Sequence, residues 1–272
     1  MPQREPEPLD VDKIQSNLKT KNIGHKVLVY NSTTSTNDIA RRYLKVKNSH
    51  GMSIFAEEQN AGRGRAGNKW FSKRSESILC SIILAENNIN LELLSLTCAV
   101  AVADAIGNSA KIKWPNDIFI NNKKVAGILL EAVTVNDTYT YILGIGINCH
   151  QDENAFPEEL RAIATSIDIE SKTTCDRVIL AKRLLTSIDQ WLETAKTNSR
   201  KIIEYWSKLS IQLGQRVTLS FNKKHFSGNC IGIDPEKGLI LRLDSGGIRM
   251  FDATHTTIIK KKIILFINTC LK

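Results

Sequence analysis

The segment Leu91–Ile106, LELLSLTCAVAVADAI, is apolar on almost every side of a helical wheel. Such a helix has no face to offer water and must be buried. It needs packed elements around it, so the chain must build a layered core. Gly107 and Asn108 follow as a normal helix stop. With 272 residues, the chain has room for one large domain and a small one. Its 42% apolar and 24% charged residues are the balance of a soluble globular protein.

Strand and helix patterns surround this helix. Residues 26–33 (KVLVYNST) are apolar and β-rich. Ser35, with Asp38 three positions on, reads as a capping-box-like helix start whose apolar face is Ile39, Ala40, Tyr43 and Leu44. Residues 52–56 and 78–84 read as strands, separated by a polar, glycine-containing loop at 59–74. A short strand at 111–114 breaks at Pro115, and residues 118–120 and 125–130 flank Asn121-Asn122-Lys123-Lys124 as a hairpin. Residues 139–147 form another strand. Residues 174–209 read as one long helix, with Val178, Ile179, Leu184, Leu185, Ile188, Trp191 and Leu192 at helical spacing. After Gly214 the pattern changes to short alternating strands, with turn signals at Gly228, Asp234-Pro235, Gly238 and Gly246-Gly247. That pattern predicts a small β-barrel. The expected organisation is α+β: a flexible leader at 1–25, a main domain at 26–210, the barrel at 211–262, and an apolar tail at 263–272 with no assigned role.

The formal net charge of +9 fits nucleic acid, an acidic protein partner, an anionic substrate such as a nucleotide, or plain solvated lysine. The six cysteines, Cys80, Cys98, Cys149, Cys175, Cys230 and Cys270, include no C-x-x-C and no zinc spacing. They read as small thiols in a reducing compartment. The N-terminal MPQREPEPLD lacks the apolar region of a secretory signal, and no apolar run approaches a membrane span, so a cytoplasmic protein is expected.

Several motifs carry chemistry. GRGRAGNKW (62–70) matches G-x-G-x-x-G through Gly62, Gly64 and Gly67. A dinucleotide site would need a helix to open there, and a kinase would need H-R-D and D-F-G downstream; neither requirement is met. What remains is a glycine loop with Arg63 and Arg65, suited either to anion binding or to being a solvated basic loop. KWPND (113–117) puts Asn116 and Asp117 at a sharp turn, as turn caps or as groups facing a pocket. In KKVAGILLE (123–131), Lys123 and Lys124 face opposite sides of a strand, one toward solvent and one toward a site. GIGINCH (144–150) sets two glycines in a strand, which often marks close approach of backbone or ligand. Cys149 and His150 are adjacent, and adjacent strand residues point apart, which argues against a nucleophile and base. The five histidines are dispersed and form no metal motif.

STN (35–37), AEEQNAGRGRAGNKW (56–70), KWPND, KVAGILLE and GIGIN, in this order, resemble the biotin protein ligases. The likeness runs from about Lys26 to Ser166, and continues more weakly through LGQRVTL and GIDPEKGLILRL, which look like the family's SH3-like end domain. The resemblance implies a mixed β-sheet backed by helices, with a small SH3-like barrel after it. It implies an enzyme that forms biotinyl-5′-AMP from biotin and ATP, with Mg²⁺ accompanying ATP, and passes biotin to a lysine of a carboxylase's biotin carboxyl carrier domain. Ser35, Thr36, Asn37 and Gln59 resemble the polar contacts to biotin. Gly62, Arg63, Gly64 and Arg65 resemble the clamp on its carboxylate and the phosphates, on a loop that orders with ligand. Lys124 resembles the lysine that holds carboxylate and α-phosphate, and Gly127 and Gly144 let backbone close on biotin. Trp70 resembles the residue packed on adenine, and Asn116 and Asn148 the nucleotide and Mg²⁺ side. Asp117 resembles a residue that positions the acceptor amine; with Lys124 and Arg65 it makes the catalytic set.

The physics agrees with this assignment. Biotin's carboxylate must approach a polyanion, and like charges about 4 Å apart in a low dielectric repel by several kcal/mol. A cationic loop and one lysine offset that repulsion, and no protein nucleophile is required. A mobile glycine loop would also shield a reactive anhydride from water. Two departures stand out. Many relatives carry further arginine where this chain has Ala66 and Asn68, so a weaker hold on phosphates is expected. About 25 leader residues cannot hold a winged helix-turn-helix, so no operator binding is expected. A monomer or homodimer is expected. Two alternatives remain. One is a lipoate or octanoate ligase, disfavoured by GRGR with KWPND. The other is a basic nucleic-acid module, disfavoured by only 6% aromatic residues, mostly in apolar runs.

Overall fold

A computed structural model describes residues 7–85, 89–107, 109–135 and 137–259. The apolar tail expected at 263–272, with Cys270, lies outside the described residues. Seven strands form the main sheet: β1 (Val27–Tyr30), β2 (Ser53–Ala56), β3 (Ser77–Leu84), β4 (Lys111–Lys113), β5 (Asp117–Ile120), β6 (Lys123–Val135) and β7 (Thr138–Asn148). Their order is β1-β2-β3-β7-β6-β5-β4, with β1 and β2 parallel and the other pairs antiparallel. The helices are α1 (Val11–Gln15), α2 (Thr36–Arg42), α3 (Leu91–Ile106), α4 (Glu158–Arg161), α5 (Ile167–Ser171), α6 (Arg177–Thr197) and α7 (Ser199–Leu209).

The apolar helix α3 is enclosed as its sequence demands. It packs on α6, α7 and the sheet, and buries even Glu92 in its first turn. The sheet is covered on both faces. Ile78, Cys80, Ile82 and Leu84 of β3 join the large core with α3 and α6, while Ile83 joins a smaller cluster with Ile39 and Ala40 of α2 and Leu44 just beyond it. This alternation follows the period of a strand. It also points Ser81 toward α2, where it meets Thr36 and Asn37.

The leader is not loose from residue 7 onward. Leu9, Ile14 and Ile23 are buried, and α1 packs on α6. The cause lies far along the chain. Arg177 and Glu57 form an ion pair at 2.8 Å with both side chains 2% exposed. Arg177 also donates to the Glu7 carbonyl (2.7 Å), and Glu57 accepts from the Leu9 amide. Asp189 accepts the amides of Lys21, Asn22 and Ile23 at 2.8–3.0 Å. Burying these carboxylates is tolerable because each is fully engaged.

Other expectations shift locally. The single helix over 174–209 divides at Asn198, whose side chain accepts from the Lys201 amide (3.1 Å) and caps α7. Ser35 precedes α2 but makes no side-chain cap, and Asp38 turns outward to Arg63 instead of closing a capping box. Asn121 and Asn122 both adopt positive φ (46° and 65°), the geometry of a tight hairpin turn, so the strands reach to Ile120 and Lys123.

The C-terminal strands are β8 (Arg216–Phe221), β9 (Lys224–Asp234), β10 (Gly238–Leu243), β11 (Ile248–Phe251) and β12 (Thr256–Ile258). Where a small barrel is expected, they form a five-stranded antiparallel sheet in the order β11-β10-β9-β8-β12. Leu219, Cys230, Leu239, Leu241 and Phe251 make its core. Among the links to the main sheet, Gln212 accepts from the Trp114 amide (2.8 Å) and donates to the Trp114 carbonyl (2.9 Å).

Candidate active site

Glycines set the floor of the site. Register pairs Gly127 with Gly146, and Gly144 with both Ser81 and Leu129, on the sheet face that carries α2. A Cβ on Gly144 would lie 2.5 Å from Asn37 Oδ1. A Cβ on Gly127 would lie 2.9 Å from the Trp70 ring, and one on Gly146 would collide with the same indole. The missing side chains therefore give Asn37 and Trp70 their seats on the sheet.

The start of α2 forms a buried polar wall. Gln59 Oε1 accepts from the Thr36 amide (2.7 Å) and hydroxyl (3.1 Å). Ser81 Oγ donates to Asn37 Oδ1 (2.5 Å) and lies 2.7 Å from Thr36 Oγ1. Asn37 Nδ2 donates to Glu131 (2.9 Å). Ser35, Thr36 and Asn37 are all buried. The sequence reading missed Ser81 and Glu131, and marked Gly146 only as one of two strand glycines open to close approach. Ser81 had a signal, as a lone hydroxyl inside an otherwise apolar stretch of strand; Glu131 had none.

The glycine loop folds on itself as a small hairpin. The Trp70 amide donates to the Gly62 carbonyl (3.0 Å), and the Gly64 amide to the Asn68 carbonyl (2.7 Å). At its tip Ala66 and Gly67 have φ of 52° and 78°. Asn68 closes the turn: its amide and its Nδ2 both donate to the Arg65 carbonyl (3.1 and 2.9 Å). A left-handed alanine costs about 1 kcal/mol, which these bonds help offset.

The loop arginines diverge. Arg63 makes a two-pronged pair with Asp38 (2.7 and 3.0 Å), with Glu131 3.8 Å away. Hydrogen bonding to Arg63 holds the Asp38 carboxyl below its usual range. Arg65 turns inward, donating to Asn116 Oδ1 (3.3 Å) and to the Ala253 carbonyl. Burial lowers its pKa, against the pull of Asp117, Glu92 and Asp252. Lys124 Nζ lies 2.6 Å from Asp117 Oδ1 and 5.7 Å from the Trp70 ring centre. Asn116 is held by Ile128, donating to its carbonyl and accepting its amide (both 2.9 Å).

Thus Thr36, Asn37, Gln59, Gly62, Arg63, Gly64, Arg65, Trp70, Asn116, Asp117, Lys124, Gly127 and Gly144 line one continuous region, with Ser35 buried at its edge. Asn148 differs, because its carboxamide is spent on the Thr165 carbonyl (2.9 Å) and on Gln151 (3.4 Å). Cys149 and His150 are not paired: burial pushes the Cys149 thiol well up, and His150 bonds Asp168 at 2.8 Å. Among the described residues no group of His, Cys, Asp and Glu has metal-holding geometry. The arrangement can bind a compact polar ring system against the wall of α2 and draw two anionic groups together at Arg65 and Lys124.

A model of the biotin/lipoate A/B protein ligase family matches residues 29–148. The chain is 32% identical to the bifunctional ligase/repressor BirA of Bacillus subtilis, over 92% of this chain and 79% of that protein. It is 30% identical to the biotin–[acetyl-CoA-carboxylase] ligase of Mycobacterium tuberculosis, over 77% and 80%. Among solved structures, the biotin protein ligase from Aquifex aeolicus in complex with biotin and ATP superimposes with a TM-score of 0.74. It is 26% identical, covering 87% of this chain and 99% of that one.

Proposed function

The chain belongs to the biotin protein ligases, and from that membership we propose the roles its own residues play. It is an ATP-dependent ligase that forms biotinyl-5′-AMP and transfers biotin to a lysine of a biotin carboxyl carrier domain. A biotin carboxylate oxygen attacks the α-phosphorus and pyrophosphate leaves. The acceptor amine then attacks the acyl carbon and AMP leaves.

Thr36, Asn37, Gln59 and Ser81 bind the polar ring of biotin beside Gly144, and the Trp70 indole must lift from Gly127 and Gly146 to admit the rest of the ligand. Lys124 and Arg65 draw carboxylate and α-phosphate together and stabilise the charge that builds on phosphorus. Lys124 must exchange Asp117 for that anion, which leaves Asp117 to orient the incoming amine. Trp70 offers its indole to the adenine. Asn116 lies on the nucleotide side with Arg65, and Mg²⁺ enters as part of Mg-ATP. Arg63 secures the stem of the loop through Asp38. We place the enzyme in the cytoplasm beside a carboxylase; no helix of the described residues is long and apolar enough to cross a membrane.

One observation carries these roles: the polar wall at Thr36, Asn37 and Ser81 shares a run of strand glycines with Lys124, and Arg65 joins that end through Asn116. This is the layout needed to hold an uncharged ring at one end and join two anions at the other. The test is to supply biotin and Mg-ATP, follow pyrophosphate release, and then add a carrier domain and weigh it. Mass gain by biotin supports the assignment. Lipoate transfer without biotin transfer overturns it.

A further inference from the structure

Arg65 rests on a residue that belongs to the C-terminal sheet. Ala253 lies in the turn between β11 and β12, and its carbonyl accepts from Arg65. Its amide donates to Glu92 Oε1 at 2.8 Å. Both backbone groups of Ala253 are therefore tied, one to the glycine loop and one to α3. Glu92 is 7% exposed, and its second oxygen is buried with no hydrogen-bond partner. Burial raises its pKa, the sign of a carboxylate placed where solvation is poor. An apolar residue at this position of α3 would avoid that cost.

We propose that Glu92 is a positioning residue for the ligase reaction, acting through Ala253 to hold Arg65 beside Asn116 at the nucleotide end of the site. The chain of contact runs from Glu92 Oε1 to the Ala253 amide, and from the Ala253 carbonyl to the Arg65 guanidinium. Arginine has several N–H donors in a fixed plane, so Asn116 and Ala253 together set its orientation while the remaining donors are available to phosphate oxygens. Fixing the guanidinium before the nucleotide arrives removes the cost of ordering it afterwards. The C-terminal sheet thereby contributes to ATP binding without placing a charged side chain on it. This inference rests on the ligase assignment above.

The test compares Glu92→Ala, Glu92→Met and Glu92→Gln with the wild type in the pyrophosphate assay, titrating ATP and biotin separately. Alanine and methionine remove the acceptor, and methionine keeps the volume. Both should raise KM for ATP by about tenfold, the weight of one hydrogen bond to a charged group, and leave KM for biotin within about twofold. Glutamine keeps an acceptor oxygen and should restore the ATP value. An unchanged ATP KM, equal rises for both substrates, failure of glutamine to rescue, or loss of the fold in both Ala and Met variants would overturn the proposal. If the wild type itself releases no pyrophosphate, the ligase assignment fails, and this inference with it.

Discussion

Arg63 and Arg65, next neighbours but one on the same loop, hold different partners, and single substitutions should separate them. Removing Arg65 or Lys124 takes away fixed charge at the reacting phosphate. Arg65→Ala and Lys124→Ala should each slow pyrophosphate release by about 10²–10³-fold, with a melting temperature close to wild type. Asp38→Asn unpins Arg63 and should weaken biotin binding severalfold through the loop stem. Both partners of that pair are about one-third exposed, at 38% and 33%, so its stability contribution is at most about 1 kcal/mol. The pair depresses the Asp38 pKa, so this contribution is present above the unfolded carboxylate value and is lost as pH falls through the folded one. The stability gap between wild type and Asp38→Asn should therefore close below about pH 4 in urea titrations. Gly144→Ala would push Asn37 from its seat and should raise KM for biotin while sparing that for ATP; equal rises would argue against the wall of α2 as the ring site.

At the level of elements, periodicity carried most of what could be read in advance. The apolar helix α3, the strands on either side of the glycine loop and the Asn-Asn hairpin follow from local chemistry. The 7–25 segment did not, because it is held by Glu57, Arg177 and Asp189, and no local pattern links these to it. Arg177→Met should cost about 3–5 kcal/mol in urea unfolding, since it strands a buried Glu57 carboxylate. The break at Asn198 was hidden for another reason. It lies in the polar stretch KTNSRK between two amphipathic segments, where only the capping chemistry of asparagine marks the boundary. Asn198→Ala should lower stability by about 1 kcal/mol with no effect on ligand affinity. The motif residues of the site were legible because their types are unusual for strands and turns. Ser81 carried a faint signal as a hydroxyl in an apolar strand, and register sets it opposite Gly144; Glu131 became visible only through its hydrogen bond from Asn37.

Across the whole molecule, hydrogen bonds at Gln212, Glu92 and Arg65 tie the two sheets together beside the site. The cations of the site are Arg65 and Lys124, the latter paired with Asp117, and Arg63 is paired with Asp38 at its edge. Ligands that satisfy those cations stabilise the folded state by mass action. Biotin and ATP together should raise the melting temperature more than the sum of the two added singly, because the adenylate, once formed, occupies both ends; simple additivity would mean that the ends do not communicate. The fastening of Trp114 by Gln212 has a mechanical consequence. Swinging the smaller sheet away would break two buried hydrogen bonds at once, so it behaves as a fixed jaw. That joint favours entry through movement of the glycine hairpin over separation of the two sheets.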